Sequence, residues 1–192
     1  MDEIWEKFKE DHVDLWIFAY GSLLWNPGFK IVESIPSILY GYRRSFCMWS
    51  VHYRGTAEKP GLVLALEQRE GEKCRGLALR CKRKDKKKVL TYLRERELIS
   101  SAYIECTDTV NFSDGRTFTA LLYVVNTNHP QYTGTLPLEK QAGIISQAKG
   151  QVGYNCDYLN KTVERLSQLG LADSSLENLN QMVRTRLGYL EV

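Results

Sequence analysis

The sequence has few of the residues that build metal centres and disulfide frameworks. It contains three histidines and five cysteines, and no two cysteines stand in Cys-x-x-Cys spacing. The cysteines lie at wide, irregular intervals, at Cys47, Cys74, Cys81, Cys106 and Cys156. An odd, scattered set of this kind excludes a disulfide framework and a structural zinc site. We therefore expect no metal, and free cysteines that pack as small apolar side chains.

Long apolar runs and a dominant charge sign are missing as well. No stretch approaches 18 uncharged apolar residues, and the acidic, mixed first residues differ from a signal peptide. The 26 Lys and Arg residues nearly balance the 23 Asp and Glu residues, which leaves a net charge of +3. We therefore expect a cytoplasmic globular protein with no membrane partner.

What the sequence does contain is a strand-rich first part and a helix-rich second part. Runs of β-branched and aromatic residues predict strands over Trp16–Leu24, Ile38–Trp49, Leu62–Glu67, Cys74–Arg80, Ile104–Phe112 and Thr117–Val125. Two of their connections, Glu70-Gly71 and Ser113-Asp114-Gly115-Arg116, have the residues of hairpin turns. Apolar periodicity and end signals predict helices over about Asp85–Ile99, Leu138–Lys149, Tyr154–Leu169 and Ser174–Leu187.

This order of elements predicts the fold class. Strands followed by helices, with no repeat or flexible linker between them, indicate one α+β domain over residues 1–192. We expect a small mixed β-barrel flanked by helices. A chain of 192 residues can bury such a core without disulfides or metal ions.

The first candidate for a site is Tyr20-Gly21-Ser22-Leu23, where an apolar run turns sharply into a Gly-Ser step. A glycine at a strand end lets a ligand approach the backbone, and successive N–H groups there can bind an anion. The alternative is an ordinary strand followed by a turn. The glycines form neither a Gly-x-Ser-x-Gly elbow nor a phosphate-binding loop.

The second candidate is Glu97 on the first long predicted helix. Glu97 lies about 40° from Leu93 around a helix of 3.6 residues per turn, whereas Glu95 lies about 200° away. Glu97 should therefore face the core and Glu95 the solvent. Loss of hydration raises the pKa of a carboxyl group toward the range of a general base. The alternative is a structural glutamate paired with Arg94 or Arg96.

Together these segments resemble the ChaC-type γ-glutamylcyclotransferases. The motifs in order are Tyr20-Gly21-Ser22-Leu23, Tyr53-Arg54-Gly55, Lys59-Pro60-Gly61, Tyr92-Leu93-Arg94-Glu95-Arg96-Glu97, the run from Asn128 to Gly134, and Gly153-Tyr154-Asn155-Cys156-Asp157-Tyr158-Leu159. The resemblance covers about Trp16 to Leu187. The ordered set is far more specific than any one motif.

The resemblance implies a lyase that cleaves glutathione into 5-oxoproline and Cys-Gly, with no cofactor. Tyr20, Gly21, Ser22 and Leu23 then form the loop that binds the γ-glutamyl group, and Glu97 is the catalytic acid and base. Arg54, Arg43 or Arg44 is a candidate for binding a substrate carboxylate. We also assign Arg54 and Tyr158 to substrate binding, so that the site residues are Glu97, Tyr20, Gly21, Ser22, Leu23, Arg54 and Tyr158.

The sequence departs from the family pattern at two places. Ala19 stands where a Gly usually precedes the Tyr-Gly-Ser-Leu loop, which remains compatible with close packing. Gln151-Val152-Gly153 stands where the pattern usually reads Pro-Ser-Gly, so Val152 replaces a hydroxyl and can alter the preferred γ-glutamyl compound. Residues 1–15 lie outside the resemblance and form a short N-terminal extension that we expect only to pack.

Two other functions stay open. The segment Lys82–Lys88 carries six basic residues and one acidic residue, which a nucleic-acid-binding module would use on phosphates. No aromatic stacking cluster accompanies this segment, so a solvated helix face is the better interpretation and we expect no nucleic-acid partner. A cyclotransferase for another γ-glutamyl amine or amino acid is the second alternative. In either cyclotransferase case we expect a monomer that acts on a small molecule.

Overall fold

The computed structural model describes residues 2–10 and 12–189. Its elements are α1 (Glu3–Phe8), β1 (Trp16–Ala19), β2 (Ile31–Ser50), β3 (Gly61–Cys81), α2 (Lys86–Glu97), β4 (Tyr103–Phe112), β5 (Thr117–Val125), α3 (Leu138–Gln147), β6 (Lys149–Gly150), β7 (Gly153–Tyr154), α4 (Asn155–Gln168) and α5 (Ser174–Arg186). Two short 3₁₀ turns, Ser22–Leu24 and Arg83–Asp85, precede β2 and α2. Across the described ranges, no helix combines the length and apolar character needed to cross a membrane.

Strands β1 to β5 close into a barrel in the order β1-β3-β2-β4-β5. Strand β1 runs antiparallel to β3 and parallel to β5, so the sheet is mixed. Strands β4 and β5 pair antiparallel along nearly their whole length, from Tyr103 opposite Val125 to Asn111 opposite Thr117. The predicted α+β class with a mixed barrel is confirmed.

The chain divides into two compact units. One comprises Met1–Arg44 and Leu66–Asn126, and the other comprises Ser45–Ala65 and Thr127–Val192. Strands β2 and β3 each run through both units. A single domain over residues 1–192 stays a prediction.

The core of the first unit follows the two-residue period of its strands. Alternate residues of β1 and its extension, Trp16, Phe18 and Tyr20, belong to one buried cluster, as do Ala120 and Leu122 of β5. Side chains two positions apart on a strand point to the same face. The aromatic and β-branched residues that predicted these strands therefore pack in the core of the barrel.

In the second unit, helices α3, α4 and α5 pack against one another. Helix α4 is anchored by Asn155, whose side chain is 0% exposed. Its Oδ1 accepts from the Leu62 N–H at 2.7 Å, and its Nδ2 donates to the Leu62 carbonyl at 2.7 Å. The amide side chain thus pairs with the backbone of β3 in the way a neighbouring strand would.

Both predicted hairpins are confirmed. Between β4 and β5, Gly115 has φ +86° and its N–H donates to the Phe112 carbonyl, which closes the expected turn. Leu66 of β3 pairs parallel with β5, whereas Leu77–Arg80 of β3 pair antiparallel with β1, which itself runs parallel to β5. The chain therefore reverses direction within the 21-residue element β3, and Gly71, with φ +79°, lies between the two paired segments.

The basic segment is not wholly a solvated face, which corrects part of the sequence interpretation. Lys86 is buried, and its Nζ donates to the carbonyls of Glu10 and Val13 at 2.6 and 2.8 Å. Arg83 forms an ion pair with Asp14 at 2.7 Å. Lys84, Lys87 and Lys88 are exposed, as expected. The segment therefore holds the N-terminal residues against the start of α2.

Candidate active site

The first part of the candidate site is the turn that follows β1. The strand ends at Ala19, and the 3₁₀ turn Ser22–Leu24 begins immediately after Gly21. The Leu24 N–H donates to the Gly21 carbonyl at 2.9 Å and closes that turn. The first N–H groups of a helical turn have no partner within the turn, so those of Ser22 and Leu23 are candidates for binding a ligand. The turn at the Gly-Ser step was predicted, but the predicted strand ran on to Leu24, five residues beyond its observed end at Ala19.

Three hydrogen bonds fix the start of the turn. The Tyr20 hydroxyl donates to the Tyr123 carbonyl of β5 at 3.0 Å. Arg44 donates from Nη1 to the Tyr20 carbonyl and from Nη2 to the Arg75 carbonyl, both at 3.0 Å. Arg44, one of three candidates for a substrate carboxylate, thus supports the backbone of the turn.

A second glycine keeps the following loop against α2. Gly28 has φ +76°, a left-handed conformation that favours glycine. The Tyr92 ring of α2 lies where a Cβ at this position would stand. Tyr92 is four residues before Arg96, so both project from one face of α2 toward the segment that follows the 3₁₀ turn.

Helix α2 ends at Glu97, the proposed base. The Glu97 side chain is 17% exposed, whereas Glu95 is an exposed residue. Burial raises the pKa of Glu97, and the charge and hydrogen bond of Arg96 oppose that rise. The helical phase therefore predicted correctly that Glu97, and not Glu95, is shielded from the solvent.

Arg96 joins the helix to the turn. Its Nε lies 3.0 Å from Oε1 of Glu97, and its Nη2 donates to the Ser22 hydroxyl at 2.8 Å. Its Nη1 donates to the Asn26 carbonyl at 2.6 Å. The structure thus brings together two segments that are more than seventy residues apart in the chain. Sequence reasoning named Arg96 as a possible partner of Glu97 but gave it no connection to Ser22.

A second layer of ionisable groups lies beyond Glu97. The Tyr123 hydroxyl donates to Glu105 Oε1 at 2.9 Å, and Arg94 holds the same carboxylate at 2.7 Å. Burial, Glu105 and the charge of Glu97 together raise the pKa of Tyr123, so its phenol stays protonated. Arg94 also pairs with Asp2. Of the two arginines considered as partners of Glu97, Arg96 takes that role and Arg94 does not.

Arg54 and Tyr158 come together in the other unit. Arg54 is 8% exposed, and its guanidinium carbon lies 5.6 Å from the centre of the Tyr158 ring. Nη1 of Arg54 donates to the Val152 and Tyr154 carbonyls at 3.1 Å each. These bonds hold the β6–β7 turn, which carries the exposed Val152. A role for Arg54 and Tyr158 in substrate binding stays a prediction.

The third arginine considered for a substrate carboxylate has a structural partner as well. Arg43 donates from Nε to Glu67 Oε2 at 2.9 Å, and Glu67 is buried. A buried carboxylate needs such a partner, because an unpaired charge in the interior is costly. Arg43 therefore neutralises Glu67.

One cavity of about 650 Å³ lies on the surface of the first unit. Its lining includes Lys7, His12, Asp108 and Thr119, and it contains none of the predicted site residues. Among the described residues, no three His, Cys, Asp or Glu side chains form a group suited to a metal ion.

Comparisons with known proteins agree with the motif order. The model of the ChaC-like protein family matches residues 15–186. The chain is 35% identical over 179 residues to the glutathione-specific gamma-glutamylcyclotransferase of Escherichia coli (strain K12), covering 93% of this chain and 77% of that protein. It is 36% identical over 183 residues to gamma-glutamylcyclotransferase 2-3 of Arabidopsis thaliana, covering 92% of both.

A solved structure supports the fold. The crystal structure of a selenomethionine-labelled γ-glutamyl cyclotransferase specific to glutathione from yeast superposes with a TM-score of 0.82. The sequence identity is 21%, and the match covers 90% of this chain and 96% of that chain. At this identity the likeness concerns the fold.

Proposed function

The chain belongs to the ChaC-like protein family, and from that premise we propose that it is a γ-glutamylcyclotransferase that cleaves glutathione into 5-oxoproline and Cys-Gly. The observation that carries the proposal is the placement of Glu97 beside the Gly21-Ser22 turn, through Arg96. The substrate is a small molecule. A cytoplasmic location, a monomeric state and the absence of nucleic-acid and membrane partners stay predictions from the sequence.

The reaction uses groups that the substrate already contains. The α-amine of the glutamyl residue attacks its own γ-carbonyl carbon, a C–N bond closes the five-membered lactam, and the C–N bond to the cysteinyl nitrogen breaks. Because nucleophile and electrophile belong to one molecule, the enzyme gains rate by holding the glutamyl chain folded. The protein has to supply proton transfer and charge stabilisation.

We assign the proton transfers to Glu97. At neutral pH the α-amine is mostly an ammonium ion, so the ionised carboxylate takes one proton before or during attack. Glu97 then gives this proton to the departing cysteinyl nitrogen. It takes the second proton that the attacking nitrogen still carries and passes it to the amine of Cys-Gly, which leaves as an ammonium, so Glu97 is regenerated as a carboxylate. A desolvated glutamate suits both steps, because its raised pKa brings proton affinity closer to neutral pH.

We assign charge stabilisation to the backbone of the Tyr20–Leu23 loop. As the amine adds, negative charge develops on the γ-carbonyl oxygen, and positioned N–H donors stabilise such an oxygen more than they stabilise the ground state. The N–H groups of Ser22 and Leu23 are the candidates for this oxygen or for the substrate α-carboxylate.

Another γ-glutamyl compound remains the second candidate substrate, and Val152 is the observation that favours it. Val152 is 58% exposed in the β6–β7 turn, where the family pattern usually has a serine. The nucleic-acid alternative loses support, because Lys86 is buried and Arg83 is paired with Asp14.

A panel of γ-glutamyl compounds tests the proposal. The purified protein should convert glutathione to equimolar 5-oxoproline and Cys-Gly, detected by mass spectrometry, faster than it converts γ-glutamyl amino acids or amines. Preference for another member of the panel would reassign the substrate and keep the reaction. Absence of 5-oxoproline from every compound would overturn the proposed reaction.

A matched pair of variants on α2 tests the base. Glu97→Gln keeps the shape of the side chain and removes the proton acceptor, so kcat should fall by about 10²–10⁴-fold. Glu95→Gln makes the same change at the exposed neighbour and should leave turnover unchanged. An active Glu97→Gln variant would refute the assignment.

A further inference from the structure

Arg96 is the side chain through which the proposed base and the proposed binding loop are connected. One guanidinium contacts the Glu97 carboxylate, the Ser22 hydroxyl and the Asn26 carbonyl, at 3.0, 2.8 and 2.6 Å. A fourth contact, to the Tyr92 hydroxyl at 3.2 Å, comes from its own helix. The contacts use all three nitrogens of the side chain.

These contacts distinguish Arg96 from an ordinary surface ion pair. Its side chain is 21% exposed and the Glu97 side chain 17%, so solvent screens the pair only in part. A planar guanidinium holds several acceptors in fixed directions, which a flexible ammonium does not. Arg94, two residues earlier, makes a comparable set of bonds to Glu105 and Asp2, so the two arginines have separate tasks.

We propose that Arg96 is a positioning residue for the cyclisation, which fixes Glu97 relative to the Gly21-Ser22 turn. Its Nε holds Oε1 of Glu97 and leaves proton exchange to Oε2, while its Nη2 holds the Ser22 side chain so that the loop backbone serves the substrate. The proposal rests on the proposed function, because it takes Glu97 as the base and the turn as the binding loop.

The charge of Arg96 also sets the proton affinity of Glu97. Burial raises the pKa of Glu97 and Arg96 lowers it. Tyr123 on β5 also interacts with Glu97, and its protonated phenol adds no charge. Glu105 on β4 accepts the hydrogen bond of Tyr123 and is paired with Arg94. Arg96 therefore supplies the positive charge in direct contact with Glu97.

Two substitutions separate the charge of Arg96 from its geometry. In Arg96→Gln both are lost, so the acid limb of kcat/KM should move upward by about one pH unit or more. Arg96→Lys keeps the positive charge, so the acid limb should stay in place. Its ammonium cannot hold the acceptors of Glu97, Ser22 and Asn26 at once, so the geometry is lost. In both variants kcat should fall by about 10- to 100-fold, because a small misplacement of the base carries that cost.

Lys88→Gln provides the matched control, since it removes one positive charge from an exposed position of the same helix. Its pH profile and kcat should equal those of the unmodified protein. Thermal unfolding of each variant confirms that the folded protein is being assayed. If Arg96→Gln does not fold, the kcat of Arg96→Lys alone tests the positioning role of Arg96.

The outcomes distinguish this proposal from the proposed function. Two results would overturn the role of Arg96. The first is an Arg96→Gln variant whose acid limb does not move and whose kcat is within twofold of that of the unmodified protein. The second is an Arg96→Lys variant whose kcat is within twofold of that value. If Glu97→Gln is inactive at the same time, the proposed function stands. If Glu97→Gln is fully active, the proposed base is wrong and the role of Arg96 falls with it.

Discussion

Replacement of Asn155 by alanine should strongly destabilise the second unit. The Asn155 side chain is fully buried, and it makes two hydrogen bonds of 2.7 Å to the N–H and the carbonyl of Leu62. Alanine leaves both backbone groups buried without a partner, at a cost of about 1–3 kcal/mol each. The free energy of unfolding should therefore fall by about 2–6 kcal/mol, a large part of the ~5–15 kcal/mol of a typical domain.

Urea unfolding measures this loss as a lower midpoint at an unchanged slope. Asn160→Ala is the matched control on the same helix, because half-buried Asn160 bonds only to the side chains of Glu164 and Asn180 and leaves no backbone group unpaired when it is removed. That substitution should lower the free energy of unfolding by about 1 kcal/mol or less. A loss in Asn155→Ala that is no larger than the loss in Asn160→Ala would refute the view that this side chain replaces a strand partner.

Two further results are expected. Because burial raises the pKa of Glu97 and a base must be ionised to act, kcat/KM should rise with pH along an acid limb that lies above the ordinary carboxyl value of 4.5. A limb at or below that value would contradict the burial argument. Gly28→Ala should lower the free energy of unfolding by about 1–3 kcal/mol, through its positive φ and its contact with Tyr92. Gly71 has a similar positive φ, but a Cβ there would meet no other atom within 4 Å. If calorimetry gives Gly28→Ala and Gly71→Ala equal losses of unfolding free energy, the contact with Tyr92 adds nothing.

Local periodicity predicted the features that depend on neighbours along the chain. The phase of α2 is set within a few residues, so the exposure of Glu95 and the burial of Glu97 followed from Leu93 alone. The turn between β4 and β5 was equally predictable, because Gly115 supplies the positive φ that it requires.

Features that depend on distant partners were not predictable. Arg94 lies three residues before Glu97 and Arg96 only one, so helical spacing alone favours Arg94 as the partner of Glu97. Which acid each arginine contacts depends on Asp2, which is far from α2 in the chain and forms an ion pair with Arg94.

Cleavage of glutathione in water enriched in ¹⁸O tests the central claim most directly. If the α-amine attacks the γ-carbonyl and Glu97 moves the protons, the mass spectrum should show 5-oxoproline without ¹⁸O, and the Glu97→Gln variant should form it at least about 10²-fold more slowly. Glutamate carrying one ¹⁸O would show that water is the nucleophile and would contradict the account.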